Sequence, residues 1–167
     1  MKKHVMILLA LLVCGMSFAQ EKSKKQQKQE KEEALIATTK SLIFSKNFQF
    51  EGLWMYPLSG TRISLISTPH SFILEGDTSK ARMPFVGTRQ YANAGKPGIN
   101  FDGEVMDYSA VYNEKKQSYS IKYKVKSDKD TFKITLKVQS NGYAKLIIDS
   151  SKRTSVSYDG EITEIKI

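Results

Sequence analysis

The strongest constraint on the fold is a strict alternation of apolar and polar residues through the second half of the 167-residue chain. Tyr119, Ile121, Tyr123 and Val125 alternate with Ser120, Lys122 and Lys124, and Phe132, Ile134, Leu136 and Val138 alternate with Lys133, Thr135 and Lys137. A period of two marks strands with one buried face, and it lets registers be worked out by hand. A loop from Ser127 to Asp130 sets Lys126 opposite Thr131, Val125 opposite Phe132, Tyr123 opposite Ile134, Ile121 opposite Leu136 and Tyr119 opposite Val138. At Ser140-Asn141-Gly142, a three-residue loop with Gly142 left-handed pairs Val138 with Ala144, Leu136 with Leu146 and Ile134 with Ile148. A two-residue Asn-Gly turn would instead set Lys145 beside Val138 and Asp149 beside Ile134, burying charge, so the longer loop is expected. A loop from Glu114 to Gln117 extends the pattern upstream, pairing Tyr112 with Tyr119, Ala110 with Ile121, Tyr108 with Tyr123 and Met106 with Val125. Four strands thus form an antiparallel meander whose apolar face other elements must cover.

The rest of the chain supplies that cover. Glu21 to Glu33 is almost wholly Lys, Gln, Glu and Ser without Pro or Gly, which predicts a helix, solvated at first and touching the body near Leu35, Leu42 and Ile43. From Asn47 the period changes, with Phe48 and Phe50 alternating with polar residues until Tyr56-Pro57-Leu58-Ser59-Gly60 breaks the run. Short strands are expected over Thr61 to Ile66, Ser71 to Glu75 and Ala81 to Val86, followed by a loop from Tyr91 to Gly98. A last strand is expected over Thr154 to Tyr158, with Asp159-Gly160 turning into a short terminal strand that ends at Ile167. The predicted class is mainly β: an antiparallel β-sandwich or partly open barrel built on the meander, preceded by one N-terminal helix.

Residues 1–19 read as a signal peptide, with Lys2 and Lys3 ahead of the apolar run from Val5 to Val13 and small residues at Ser17 and Ala19, so cleavage is expected before Gln20. That run is too short for a permanent membrane span. Cys14 follows Leu11-Leu12-Val13 as a lipidated cysteine would, although Val13 is bulkier than the residue usual at that place. The organisation expected is then a signal peptide over 1–19, a charged helix or tether over 20–46 and one antiparallel β domain over 47–167. Export places the protein in the periplasm, at the outer membrane or outside the cell. With 26 Lys+Arg against 17 Asp+Glu the chain is basic, but export argues against nucleic acid as the partner. The single Cys lies inside the expected signal peptide, which excludes a disulfide scaffold and thiol chemistry in the mature chain.

Two surfaces of the meander are chemically unusual. Its polar face carries Lys122, Lys124, Lys126, Lys133, Lys137 and Lys145 against Asp107 and Asp149. The registers put Lys124 beside Lys133 and Lys137 beside Lys145, where like charges repel mildly. Such a face is either a solvated surface that discourages edge pairing or a patch that attracts anionic lipid, acidic glycan or an acidic protein. On the apolar side Tyr108, Tyr112, Tyr119 and Tyr123 cluster across two strands. Buried tyrosine hydroxyls need partners, so the cluster either reaches the rim of a core or forms the aromatic wall of a ligand groove.

Motifs for established chemistries are missing: there is no His-Glu-x-x-His, no Gly-x-Ser-x-Gly and no phosphate-binding loop. Gly95-Lys96-Pro97-Gly98 puts Pro97 where a phosphate cradle needs a hydroxyl residue and a backbone donor. His70 beside Pro69 reads as a turn residue, and Glu75 with Asp77 reads as a turn rather than a carboxylate pair. Asp102, between Phe101 and Gly103, is the better candidate acid. No metal site or cofactor is expected.

Tyr56-Pro57-Leu58-Ser59-Gly60, Met83-Pro84-Phe85-Val86-Gly87-Thr88-Arg89, Gly98-Ile99-Asn100-Phe101-Asp102-Gly103, Gly142-Tyr143-Ala144 and Ser155-Val156-Ser157-Tyr158-Asp159-Gly160 occur in that order. Together they resemble a Bacteroidetes family of exported proteins of unknown function (domain of unknown function 4251), from about Ala34 onward. The Pro84 segment is a residue longer before Arg89 than the family pattern. The resemblance implies an envelope or secreted protein and carries no activity to transfer. The function expected is a noncatalytic β module that binds a small apolar or amphipathic ligand or a partner, with Tyr108, Tyr112, Tyr119, Tyr123, Arg89 and Asp102 as its contacts. The alternative is a protein that associates with anionic lipid or glycan through Lys122, Lys124, Lys126, Lys133, Lys137 and Lys145. A hydrolase built on Asp102, Arg89 and His70 comes third, and it requires those three side chains to converge.

Overall fold

The computed structural model describes residues 24–88, 98–127 and 130–166. The expected signal peptide with Cys14, together with Arg89 and most of the Tyr91 to Gly98 loop, lies outside the described residues. The chain divides into two units between Ala34 and Leu35. Helix α1, Lys24–Ser45, crosses that boundary, and its stretch within the first unit is exposed throughout. In the second unit the helix buries Thr39, Leu42 and Ile43, which the helical repeat places on one side. Leu35 stays exposed, so the apolar contact begins a turn later than expected. The helix ends at Lys46, whose φ of 53° cannot continue it; its amide donates to the Ile43 carbonyl, and Ser45 Oγ donates to the Leu42 carbonyl.

Among the described residues nine strands follow: β1 Asn47–Pro57, β2 Ile63–Ser64, β3 Ser71–Glu75, β4 Thr78–Met83, β5 Ile99–Asn113, β6 Ser118–Lys126, β7 Thr131–Gln139, β8 Tyr143–Ser150 and β9 Arg153–Thr163. They form one antiparallel sheet in the order β2-β1-β3-β4-β5-β6-β7-β8-β9. A further pairing of β1 with β9 closes all of them except β2 into a barrel. The barrel half of the sequence expectation is therefore what forms, and the sheet does not split into a sandwich. Closure removes the exposed edges that a meander alone would leave.

The hairpin registers follow the sequence where the alternation is clean. β6 and β7 pair Tyr119 with Val138, Ile121 with Leu136, Tyr123 with Ile134 and Val125 with Phe132. β7 and β8 pair Val138 with Ala144 through the expected loop, in which Gly142 has a φ of 88°. β5 and β6 pair Tyr112 with Tyr119 and Ala110 with Ile121, but the register shifts between Met106 and Ser109. Val105, not Met106, faces Val125, which corrects the pairing expected at that end. The cause is a bulge at Asp107, which has a φ of 56°, and Asp tolerates that region better than most residues. It reverses the parity of the strand. Phe101 is buried before the bulge, whereas Tyr108 packs against the core after it.

Other boundaries also move. Asp159-Gly160 is not a turn but the middle of β9, where a Cβ on Gly160 would run into the Glu51 carbonyl oxygen of β1. β1 continues through Tyr56 to Pro57, the Thr61 to Ile66 strand shrinks to two residues, and the Ala81 to Val86 strand begins earlier, at Thr78.

The barrel interior is filled by side chains. Phe48, Phe50, Phe72 and Phe132 are nearly inaccessible, and rings meet in sequence from Phe50 to Phe72 at 6.3 Å, Phe72 to Phe101 at 6.2 Å and Phe101 to Phe132 at 5.0 Å. Each fully buried apolar side chain of this size contributes about 1.5–3 kcal/mol. One seam is incomplete. β3 pairs with β1 only from Asn47 to Gln49; beyond that, Gly52 donates its amide to His70 Nε2 at 3.0 Å, and the Leu65 amide bonds the Leu53 carbonyl. His70 Nδ1 lies 2.7 Å from the Thr68 carbonyl oxygen, so the ring bridges the Gly52 amide and the Thr68 carbonyl. His70 completes the ladder where the neighbouring strand is missing.

Candidate functional site

Strict alternation along β6, β7 and β8 turns every second residue outward, and those residues are the lysines. Lys124 faces Lys133 across β6 and β7, and Lys137 faces both Ser120 of β6 and Lys145 of β8. Two of the six lysines are neutralised locally. Lys124 Nζ donates to Asp107 Oδ2 at 2.7 Å, from the same residue that forms the β5 bulge. Lys145 pairs with Asp159 at 3.2 Å and lies over the Tyr56 ring at 5.1 Å. Among the described residues no carboxylate pairs with Lys122, Lys126, Lys133 or Lys137, although Asp149 stands opposite Lys133 in the register. All four are exposed. The face therefore presents a net positive field of exposed ammonium groups.

One rung of this surface runs further round the barrel than the meander itself. Val111, Ser120, Lys137, Lys145, Asp159 and Trp54 are successive cross-strand partners on β5, β6, β7, β8, β9 and β1. Along the rung an open groove of about 830 Å³ is lined by Leu53, Trp54, Lys137, Gln139, Tyr143 and Lys145 among others. The register shift between Gly52 and Trp54 puts Leu53 and Trp54 together at the wall of this groove. Arg62 stacks on the Trp54 ring at 4.3 Å.

The four tyrosines do meet, on the inner face. Tyr112 and Tyr119 rings lie 4.7 Å apart and Tyr108 and Tyr123 rings 6.1 Å apart. Tyr123 is buried, its hydroxyl 3.1 Å from Ser79 Oγ, which itself donates to the Ile73 carbonyl. Burial pushes the Tyr123 hydroxyl far above its ordinary pKa. The end of α1 covers the cluster: the Tyr108 hydroxyl donates to the Ile43 carbonyl, the Phe44 ring meets Tyr119 edge-on at 6.3 Å, and Lys46 lies over the Tyr108 ring at 4.7 Å. Tyr112 alone of the four is exposed.

Asp102 does not join them. It is the exposed cross-strand partner of Lys80 and points outward, because the Asp107 bulge puts it out of phase with Tyr108. An unbulged strand would have set the two on one face. His70 is two strands away at the β1 seam, so Asp102 and His70 do not converge. Arg89 lies outside the described residues. Trp54, Leu53, Tyr143 and Gln139 were not singled out from the sequence. The outward parity of Tyr143 was available there, but the β1–β9 pairing that brings Trp54 to it was not.

Among the described residues no helix is long and apolar enough to cross a membrane, and no cluster of His, Cys, Asp and Glu could hold a metal. No curated protein matches the chain. A crystal structure of a DUF4251 family protein from Bacteroides eggerthii DSM 20697 is similar in fold, with a TM-score of 0.64 at 12% identity over 78% of this chain and 88% of that one. The family described as "Domain of unknown function (DUF4251)" matches residues 27–162. On that match the chain belongs to the DUF4251 family.

Proposed function

We propose that the protein is a noncatalytic module of the cell envelope that binds polyanions through the outer face of β6, β7 and β8. One observation carries this reading: Lys122, Lys133 and Lys137 stand exposed on adjacent strands without a paired carboxylate among the described residues. Strand neighbours are only about 4.8 Å apart, so the charges add within a Debye length and attract a multivalent anion cooperatively. Lysines that served only solubility would gain from interspersed acids, as Lys124 and Lys145 have.

A ligand held by the tyrosine wall is the competing form of binding. It requires α1 to lift from Tyr108 and Tyr119, breaking the Tyr108 to Ile43 hydrogen bond and exposing Leu42 and Ile43. The lysine face needs no rearrangement, and that difference decides between them. Co-sedimentation of the purified chain with an anionic polymer or anionic vesicles, over a series of salt concentrations, tests the proposal. Binding that falls steeply with salt and is lost in the Lys122→Glu, Lys133→Glu, Lys137→Glu triple variant is the expected result. Binding unaffected by the triple change would overturn it.

A further inference from the structure

Resting on the polyanion reading, we propose that the groove between Trp54 and Tyr143 is a subsite for an extended acidic glycan, a chain of sugars bearing carboxylate or sulfate groups. The lining combines the three kinds of group such a chain requires. Tyr143, which is exposed, offers an aromatic ring against which the C–H face of a sugar ring packs, and Trp54, with Arg62 stacked on its ring, borders the groove beside it. Ser118, Gln139 and Asp159 offer hydrogen-bond donors and acceptors for hydroxyls. Lys116 and Lys137, neither paired with a carboxylate among the described residues, supply charge for the acidic substituents.

The arrangement is also linear. Lys137, Lys145, Asp159 and Trp54 are consecutive rungs across β7, β8, β9 and β1. Rungs recur about every 4.8 Å, close to the rise of one sugar residue in an extended chain, so successive sugars would meet successive side chains. A volume of about 830 Å³ lies within the range of about 300–1,000 Å³ typical of ligand sites.

A membrane surface fits this place less well. Head groups meet flat or convex patches, whereas this is a groove. The Asp159 carboxylate accepts well from a sugar hydroxyl while remaining paired with Lys145 at 3.2 Å.

The test is calorimetric titration of the purified full chain with oligogalacturonate and with a heparin-derived oligosaccharide, beside neutral dextran and anionic phosphatidylglycerol vesicles. The variants are Tyr143→Ala and Trp54→Ala. Tyr143 is exposed, so its variant keeps the test open even if loss of the Arg62-stacked indole harms folding. Expected are binding of at least one acidic oligosaccharide, none of dextran, and a tenfold or greater loss in Tyr143→Ala at unchanged thermal stability. Acidic-glycan binding that Tyr143→Ala leaves unchanged, or binding confined to vesicles and dependent only on the lysines, overturns the glycan subsite while leaving the polyanion reading intact. Binding to no anion at all overturns both.

Discussion

Lys137 and Lys145 face each other across β7 and β8, yet among the described residues only Lys145 has a counter-ion, Asp159 at 3.2 Å. Two equivalent positions in the sequence pattern are thereby divided between a structural pair and a cation without a paired carboxylate among the described residues. The consequence is asymmetric. Lys137→Gln should weaken polyanion binding about fivefold, taking ~1 kcal/mol as the worth of one surface lysine against an anionic surface, and leave the melting temperature unchanged. Lys145→Glu should lower both, because it sets a second carboxylate against Asp159. Paired melting curves and salt-dependent binding of the two variants check this.

His70 is expected to be a stability residue. Its Nε2 accepts the Gly52 amide where β3 no longer pairs with β1. His70→Ala leaves that buried donor unpaired and should cost about 1–3 kcal/mol. Urea unfolding measures the loss, and hydrogen exchange should show it concentrated at Gly52 and Leu53.

Gly160 sets the closure of the barrel. Its Cα lies so close to the Glu51 carbonyl that no Cβ fits without a shift of the β1–β9 seam. Gly160→Ala should therefore destabilise by about 1–3 kcal/mol, the usual range for overpacking, with exchange rising along β9 and β1 before it rises along β6 and β7. Uniform exchange would contradict the seam's role.

Alkali should unfold the protein through two tyrosines. Burial raises the pKa of Tyr123 and Tyr158 well above the ordinary 10, and the Tyr158 hydroxyl donates to the Pro84 carbonyl at 2.6 Å. A raised folded-state pKa stabilises the neutral form, so this contribution is complete below pH 10 and is lost as pH rises beyond it. Ultraviolet titration should show two tyrosines ionising only with unfolding, and Tyr123→Phe should extend stability to higher pH.

The fold was legible where neighbours in space are neighbours in sequence. Hairpin registers from Tyr119 to Ile148 follow from keeping lysines out of the core, because a slip of one residue reverses every side chain. Two things escaped that logic. The bulge at Asp107 is a single left-handed residue inside an otherwise regular strand, and it sent Asp102 outward while Tyr108 turned in. The β1–β9 pairing joins segments about a hundred residues apart, and no local period encodes it. The groove at Trp54 exists only because of that pairing, which is why the lysine face was visible in the sequence and its aromatic border was not.

The most direct measurement is a two-dimensional amide NMR titration of the full chain with a heparin-derived oligosaccharide. Binding by the outer face predicts shifts clustered at Lys122, Lys133, Lys137 and Tyr143, with α1 undisturbed. Shifts centred on Tyr108, Tyr123 and Ile43 would mean that the ligand enters beneath the helix, and would contradict the outer-face account.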